Sequence, residues 1–189
     1  MTDGAPRNRD DTAPLRAALK SQYHAALAML RETIESCPDE LWLGAAHRNA
    51  CWQIAYHALY FAHLYLMPEE KAFRPWEGHQ GDVQHPDGIA PEPPDPPGRL
   101  PLLPRPYTKS EALAYWRFCD ALVDSGVDAL DLASPHSGFE RHRSTPKLEH
   151  QLMNLRHIQH HAAQLADRLR SAANVGIRWV RGGRPAGSA

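Results

Sequence analysis

The chain has 189 residues, with 21 Lys plus Arg against 22 Asp plus Glu for a formal net charge of -1, and 42% of it is hydrophobic. That length suits one domain that buries roughly two thirds of its unfolded surface, so no metal or disulfide is needed merely to fold it. The balanced charge and the lack of a Lys/Arg-rich run argue against a nucleic-acid partner, and no run approaches the ~18 apolar residues of a membrane span.

Cys37, Cys51 and Cys119 are odd in number, widely spaced and without a Cys-x-x-Cys pairing, which argues against a disulfide framework. The first eleven residues, MTDGAPRNRDD, carry no apolar signal core. The expectation is a soluble, cytoplasmic protein with a flexible N-terminus over 1–11, a helical domain over 12–175 and a tail over 176–189.

Taken in order, the first predicted helix is capped by Thr12, accepts Pro14 in its first turn and carries Leu15, Leu19, Tyr23, Ala26, Leu30 and Ile34 at helical spacing. Pro38 closes it near Ser36, and a short connection through Trp42 follows. A second helix is expected from the cap Asn49 to Met67, stopped by Pro68. It is apolar over more than half its circumference, with His57 read as its inward histidine and His63 on the side of Tyr56 and Tyr60.

From Glu69 to Tyr107 helical periodicity vanishes, and residues 85 to 106 hold nine of the seventeen prolines. No regular helix or central strand survives that density. So long a connection, over 69–107, suits a return crossover that leaves the second and third helices parallel. The third helix opens with the capping-box pattern Thr108-Lys-Ser-Glu111 and runs to about Leu130. Thr145 and Pro146 are the expected N-cap and first position of the fourth, which Asn174 and Gly176 end. Four amphipathic helices with no alternating strand and no repeat select an all-α four-helix bundle.

The fourth helix holds the most informative stretch, LEHQLMNLRHIQHHAAQLADRL from Leu148 to Leu169, with four of the twelve histidines. Leu148, Leu152, Leu155, Ile158, Ala162, Leu165 and Leu169 fall on one stripe at about 100° per residue. His157 and His161 lie together on its flank, four residues apart, while His160 points nearly opposite. His150 is two turns earlier, about 10 Å along the axis by helical rise, too far to join them as a ligand. Asn154 and Gln164 are expected near the pair. Phe73-Arg-Pro-Trp76 with His79 is expected to cover one end of the bundle.

A bundle brings His57 of the second helix toward His157 and His161 of the fourth. Three imidazoles suit Zn²⁺, and also Ni²⁺, Co²⁺ or Fe²⁺. With three protein ligands, a fourth position stays open for water or substrate. No Ser/His/Asp arrangement, paired carboxylates, phosphate loop or dinucleotide fingerprint competes with them.

The phrase His157-Ile-Gln-His160-His161-Ala-Ala-Gln164 resembles the fourth-helix pattern His-x-x-His-His-x-x-Gln of the DinB-like (YfiT-like) superfamily, and Trp52-Gln-Ile-Ala-Tyr-His57 resembles that family's second-helix histidine. The resemblance spans about Leu15 to Ala173 in element order. It implies an up-down-down-up bundle and metal ligation by His57, His157 and His161. It also implies a divalent ion and frequent homodimerisation; the ion expected on three imidazoles is Zn or Ni, with Fe, Co or Mn as alternatives. Characterised branches are thiol-dependent transferases or isomerases acting with a low-molecular-weight thiol on a small-molecule substrate. Ala162-Ala163 stands where many relatives have Arg-Gly, which removes a cation there.

Two functions follow. One is a metal-dependent enzyme of transferase, isomerase or hydrolase type, in which the ion activates water or a thiol. The alternative is a non-enzymatic, metal-stabilised bundle serving as a binding or stress-response module. An exchangeable ligand on the metal separates them. A further expectation is that the aromatic face of the second helix, with Tyr56, Tyr60, Phe61 and Tyr65, meets a twofold partner unless the long connection covers it.

Overall fold

The computed structural model describes residues 12–44, 47–81, 83–85 and 105–183. The expected flexible N-terminus, the proline-dense 86–104 and the end of the tail, 184–189, lie outside the described residues. Those described form five α-helices: α1 Ala13–Ser36, α2 Asp39–Leu43, α3 Cys51–Tyr65, α4 Lys109–Ala129 and α5 Lys147–Ala173. Single 3₁₀ turns occupy Glu70–Ala72 and Glu140–His142, and no strand occurs among the described residues.

Local chemistry sets most of the helix ends. Cys37 turns extended at φ -72°, ψ 122° ahead of Pro38 and closes α1. At the other end Thr12 makes no side-chain cap. Its Oγ1 accepts instead from Arg16 Nε at 3.2 Å, and the Arg16 guanidinium donates to the carbonyls of Val127 and Leu130 at the end of α4. A cation on those orphan carbonyls serves the negative end of the α4 dipole.

The connection expected through Trp42 is the short helix α2, and Trp42 Nε1 donates to Tyr107 O at 2.7 Å. Helix α3 starts later than expected, at Cys51. The Ala50 N–H donates to Gln53 Oε1 at 2.8 Å, while Asn49 offers its carbonyl to Arg168 at 2.6 Å. Glutamine at the third position thus supplies the cap that the asparagine side chain does not.

The capping box of α4 forms as read: Thr108 Oγ1 accepts from Glu111 N at 3.2 Å, and the Glu111 carboxylate accepts from Thr108 N at 2.9 Å. Pro146 is the N-cap of α5, one residue past the expected Thr145. Asn174 ends α5 in the left-handed region at φ 54°, with Asn174 N bonded to Arg170 O and Val175 N to Leu169 O, the double-bonded C-terminal motif in which asparagine tolerates positive φ.

Cross-helix contacts give the relative directions. Along α1 against α4, Lys20 meets Asp128 at 2.8 Å, His24 meets Asp120 at 2.7 Å, and Leu27 O accepts from Trp116 Nε1 at 2.8 Å, so the two advance in opposite senses. Along α3 against α4, Tyr56 packs on Tyr115 and Leu66 lies against Gly126, so these advance together. Along α3 against α5 the pairs are His57 with His157 and Tyr65 with Gln151, in opposite senses. Between α1 and α5, Tyr23 meets Gln151 and Met29 meets Gln159, in the same sense.

The buried stripe of α5 differs from the sequence reading in its first half. Leu152 is 49% exposed, while Gln151 and Asn154 are fully buried beside Ile158, Ala162, Leu165 and Leu169. Polar residues take two stripe positions because Tyr23 partners them: its hydroxyl donates to Gln151 Oε1 at 2.7 Å and accepts from Asn154 Nδ2 at 3.0 Å. Burial of amides is tolerated when they are hydrogen-bonded.

Segment 73–79 lies over the outer face of α3 and the adjoining side of α4. Phe73 packs on Tyr60 and His63, His79 Nδ1 lies 2.5 Å from the Tyr56 hydroxyl, and Trp76 stacks on Tyr115 at 4.7 Å. It thereby covers part of the aromatic face that the sequence left for a partner. At the far end of α3 two loops are tied together. Glu70 N donates to Gly138 O at 3.0 Å and Glu70 Oε2 accepts from Glu140 N at 2.9 Å; the buried Lys147 ammonium donates to Pro68 O and Ser137 O. No helix among the described residues is long and apolar enough to cross a membrane.

Candidate metal centre

Helical spacing on α5 and one turn of α3 bring His57, His157 and His161 together. His57 Nε2 lies 3.0 Å from His157 Nε2, and His161 Nε2 lies 3.1 Å from the same atom. The three candidate ligand atoms all lie within 4.8 Å of one another. Zn–N bonds of about 2.0–2.1 Å at tetrahedral angles put neighbouring nitrogens roughly 3.3 Å apart. The donor set and its spacing therefore fit a tetrahedral divalent ion. Among the described residues no fourth His, Cys, Asp or Glu joins the group.

Two of the three rings are oriented from behind. A carbonyl oxygen only accepts, so the 2.6 Å contact of His57 Nδ1 with Gln84 O places a proton on Nδ1, and in the neutral ring the Nε2 lone pair then faces the cluster. His161 Nδ1 is set the same way by Gln164 Oε1 at 3.1 Å. His157 lacks such support: its Nδ1 is buried with no hydrogen-bond partner among the described residues. Burial, then the neighbouring His161, His57 and His160, push the His157 pKa down to about 3. It is therefore neutral at pH 7, the form that ligates a metal.

The sequence placed the other polar candidates less well. His160 is exposed, as expected, with its ring against His161. Gln164 does reach the cluster, whereas Asn154 belongs to the Tyr23 network in the core. His57 is not the more inward histidine of α3. His63 is, at 3% exposure between Phe73, Tyr115 and Phe118, where burial lowers its pKa to about 4. His150 stays out of the cluster but is fully buried against Tyr65 and Phe139.

A cavity of about 250 Å³ adjoins the centre, lined by His57, Phe61, Tyr65, Arg141, His142, Met153 and His157. The Tyr65 hydroxyl lies 3.2 Å from His142 Nε2 on that wall. Gln84, Arg141 and His142 come from outside the helices, where no periodicity marks them, and they were missed in the sequence. The only available signal was the cluster Arg141-His142-Arg143.

No family model matches the chain, and neither the curated proteins nor the solved structures contain a match to it.

Proposed function

We propose that the protein is a four-helix bundle of DinB-like type, with up-down-down-up order over α1, α3, α4 and α5, that holds one divalent metal on His57, His157 and His161. The contact directions among those helices support the topology. One observation carries the metal reading: His57 Nε2 and His161 Nε2 lie 3.0 and 3.1 Å from His157 Nε2, with the first two rings held by hydrogen bonds at Nδ1. Zn or Ni suits three imidazoles best, with Fe, Co or Mn as lesser fits.

The function we infer is that of a metal-dependent enzyme on a small-molecule substrate, of thiol-dependent transferase, isomerase or hydrolase type. The adjoining cavity supports this over a purely structural clamp, because it leaves space beside His57 and His157 for a ligand that is not protein. When bound, the metal supplies Lewis acidity and lowers the pKa of water or a thiol. The chain's own part is to hold three imidazoles together, with Gln84 and Gln164 orienting two of them. Phe61 packs on His57 and His157, while Tyr65 and His142 place a hydroxyl and an imidazole on the cavity wall.

Metal analysis of the purified protein tests this. About one divalent ion per chain is expected, lost in His57→Ala, His157→Ala and His161→Ala but retained in His160→Ala. Equal loss in His160→Ala, or no metal in the parent protein, overturns the assignment.

A further inference from the structure

The cavity beside the three histidines is asymmetric in charge. Its lining combines the imidazoles of His57 and His157, the apolar Phe61 and Met153, and the polar or charged Tyr65, Arg141 and His142. Among the described residues no acidic side chain lines it. Of the nearby carboxylates, Glu140 pairs with Arg143 at 3.2 Å, and Glu70 accepts from the Glu140 backbone N–H at 2.9 Å, from where its charge acts on Tyr65 and His142. No hydrogen bond or ion pair of the Arg141 guanidinium occurs among the described residues. Burial raises the Tyr65 pKa, the Arg141 charge opposes that rise, and Glu70 adds to it.

We propose that this cavity is a binding site for a small organic oxyanion, a carboxylate or phosphate on an apolar body, with Arg141 as the anchoring cation. A guanidinium offers a planar fork of donors that matches an oxyanion, and a partly enclosed cavity strengthens that pairing over one in open water. Phe61 and Met153 contact the apolar body, and the Tyr65 hydroxyl and His142 provide further hydrogen-bonding groups. A volume of about 250 Å³ admits a ligand the size of a substituted benzene. This assignment deepens the enzyme reading by naming the substrate class, and it rests on that reading only for what His57 and His157 hold.

The test is calorimetric titration of the full chain, both metal-free and loaded with Co²⁺, using benzoate, phenyl phosphate and uncharged benzyl alcohol. At least one of the two anions should bind more tightly than benzyl alcohol. Arg141→Gln should weaken that anion about tenfold or more and leave benzyl alcohol unchanged. Arg141→Lys should retain part of the affinity through its point charge. The tighter of the two anions identifies the headgroup. Anion affinity unchanged in Arg141→Gln, benzyl alcohol binding as tightly as both anions, or no anion binding in either form overturns the proposal. Failure of the parent chain to take up Co²⁺ overturns the metal reading alone, since the metal-free titrations still decide the role of Arg141.

Discussion

Replacing Tyr23 by Phe removes one oxygen from the centre of the molecule and tests how α1 is fastened to α5. The Tyr23 hydroxyl is fully buried, donates to Gln151 Oε1 at 2.7 Å and accepts from Asn154 Nδ2 at 3.0 Å. Burial raises its pKa far above that of a free phenol, so it stays protonated and keeps its donor role. Without it, one acceptor on Gln151 and one donor on Asn154 lose their partner where Asn154 Oδ1 already has none. Each buried orphan costs about 1–3 kcal/mol, offset in part by no longer burying the hydroxyl itself, for a net loss of about 2–3 kcal/mol. Urea unfolding of the metal-free protein followed by circular dichroism should show this as a lower midpoint with an unchanged slope. Adding Asn154→Leu to Tyr23→Phe should cost less than the two changes summed, because the orphaned amide goes with it. A loss below about 0.5 kcal/mol for Tyr23→Phe would refute the reasoning. A drop in metal content in Asn154→Leu would return that residue to the site.

The stability should also depend on acidity in a direction set by buried imidazoles, His63 and His150 among them beside the depressed His157. Burial holds His63 and His150 at about 4, below their unfolded value of about 6.5. Their contribution is full above pH 6.5 and is lost as pH falls toward 4, by at most about 1.4 kcal/mol per pH unit for each. His24, raised by Asp120, works the other way: its stabilisation is full below pH 6.5 and fades as pH rises through its folded pKa. Urea midpoints should therefore fall between pH 7 and 4.5, and His150→Phe should flatten the fall; a steeper fall in that variant would contradict the assignment. Gly126→Val should destabilise the fold by about 1–3 kcal/mol, since even a first carbon there sits 3.3 Å from the Leu66 carbonyl oxygen, a backbone atom with little room to yield. A neutral result in thermal unfolding would show that α3 and α4 separate more easily than their contact implies.

How much of this was legible in the sequence depended on whether a residue's role was local. The Thr108–Glu111 capping box and the left-handed end at Asn174 are made by neighbours in the chain, and both formed as read. The clustering of His57 with His157 and His161 followed from helical spacing plus one assumption, that the second and fourth helices are in contact. Burial was less legible because it depends on what sits opposite. Gln151 and Asn154 look like surface residues until Tyr23 is placed against them, and Leu152 looks like core until it points outward. His63 and His57 are both on α3, and only the position of Tyr115 shows which one is enclosed. The cavity wall was the least legible part, since Arg141 and His142 reach it from a turn that no period announces.

The division of labour between helices and loops around the three histidines has a consequence for inheritance. The imidazoles stand on α3 and α5, whereas Arg141 and His142 stand on a separate stretch that Lys147 and Glu70 pin to the end of α3 through backbone carbonyls and one backbone N–H. Bonds to main-chain atoms are indifferent to the side chains borne by residues 140 to 143, although Gly138 at φ 84° has no room for a Cβ against Pro68 O and Phe139 is buried. That turn can exchange its side chains generation by generation while its docking stays in place, so descendants of this chain are free to change what the cavity admits without disturbing the histidines beside it.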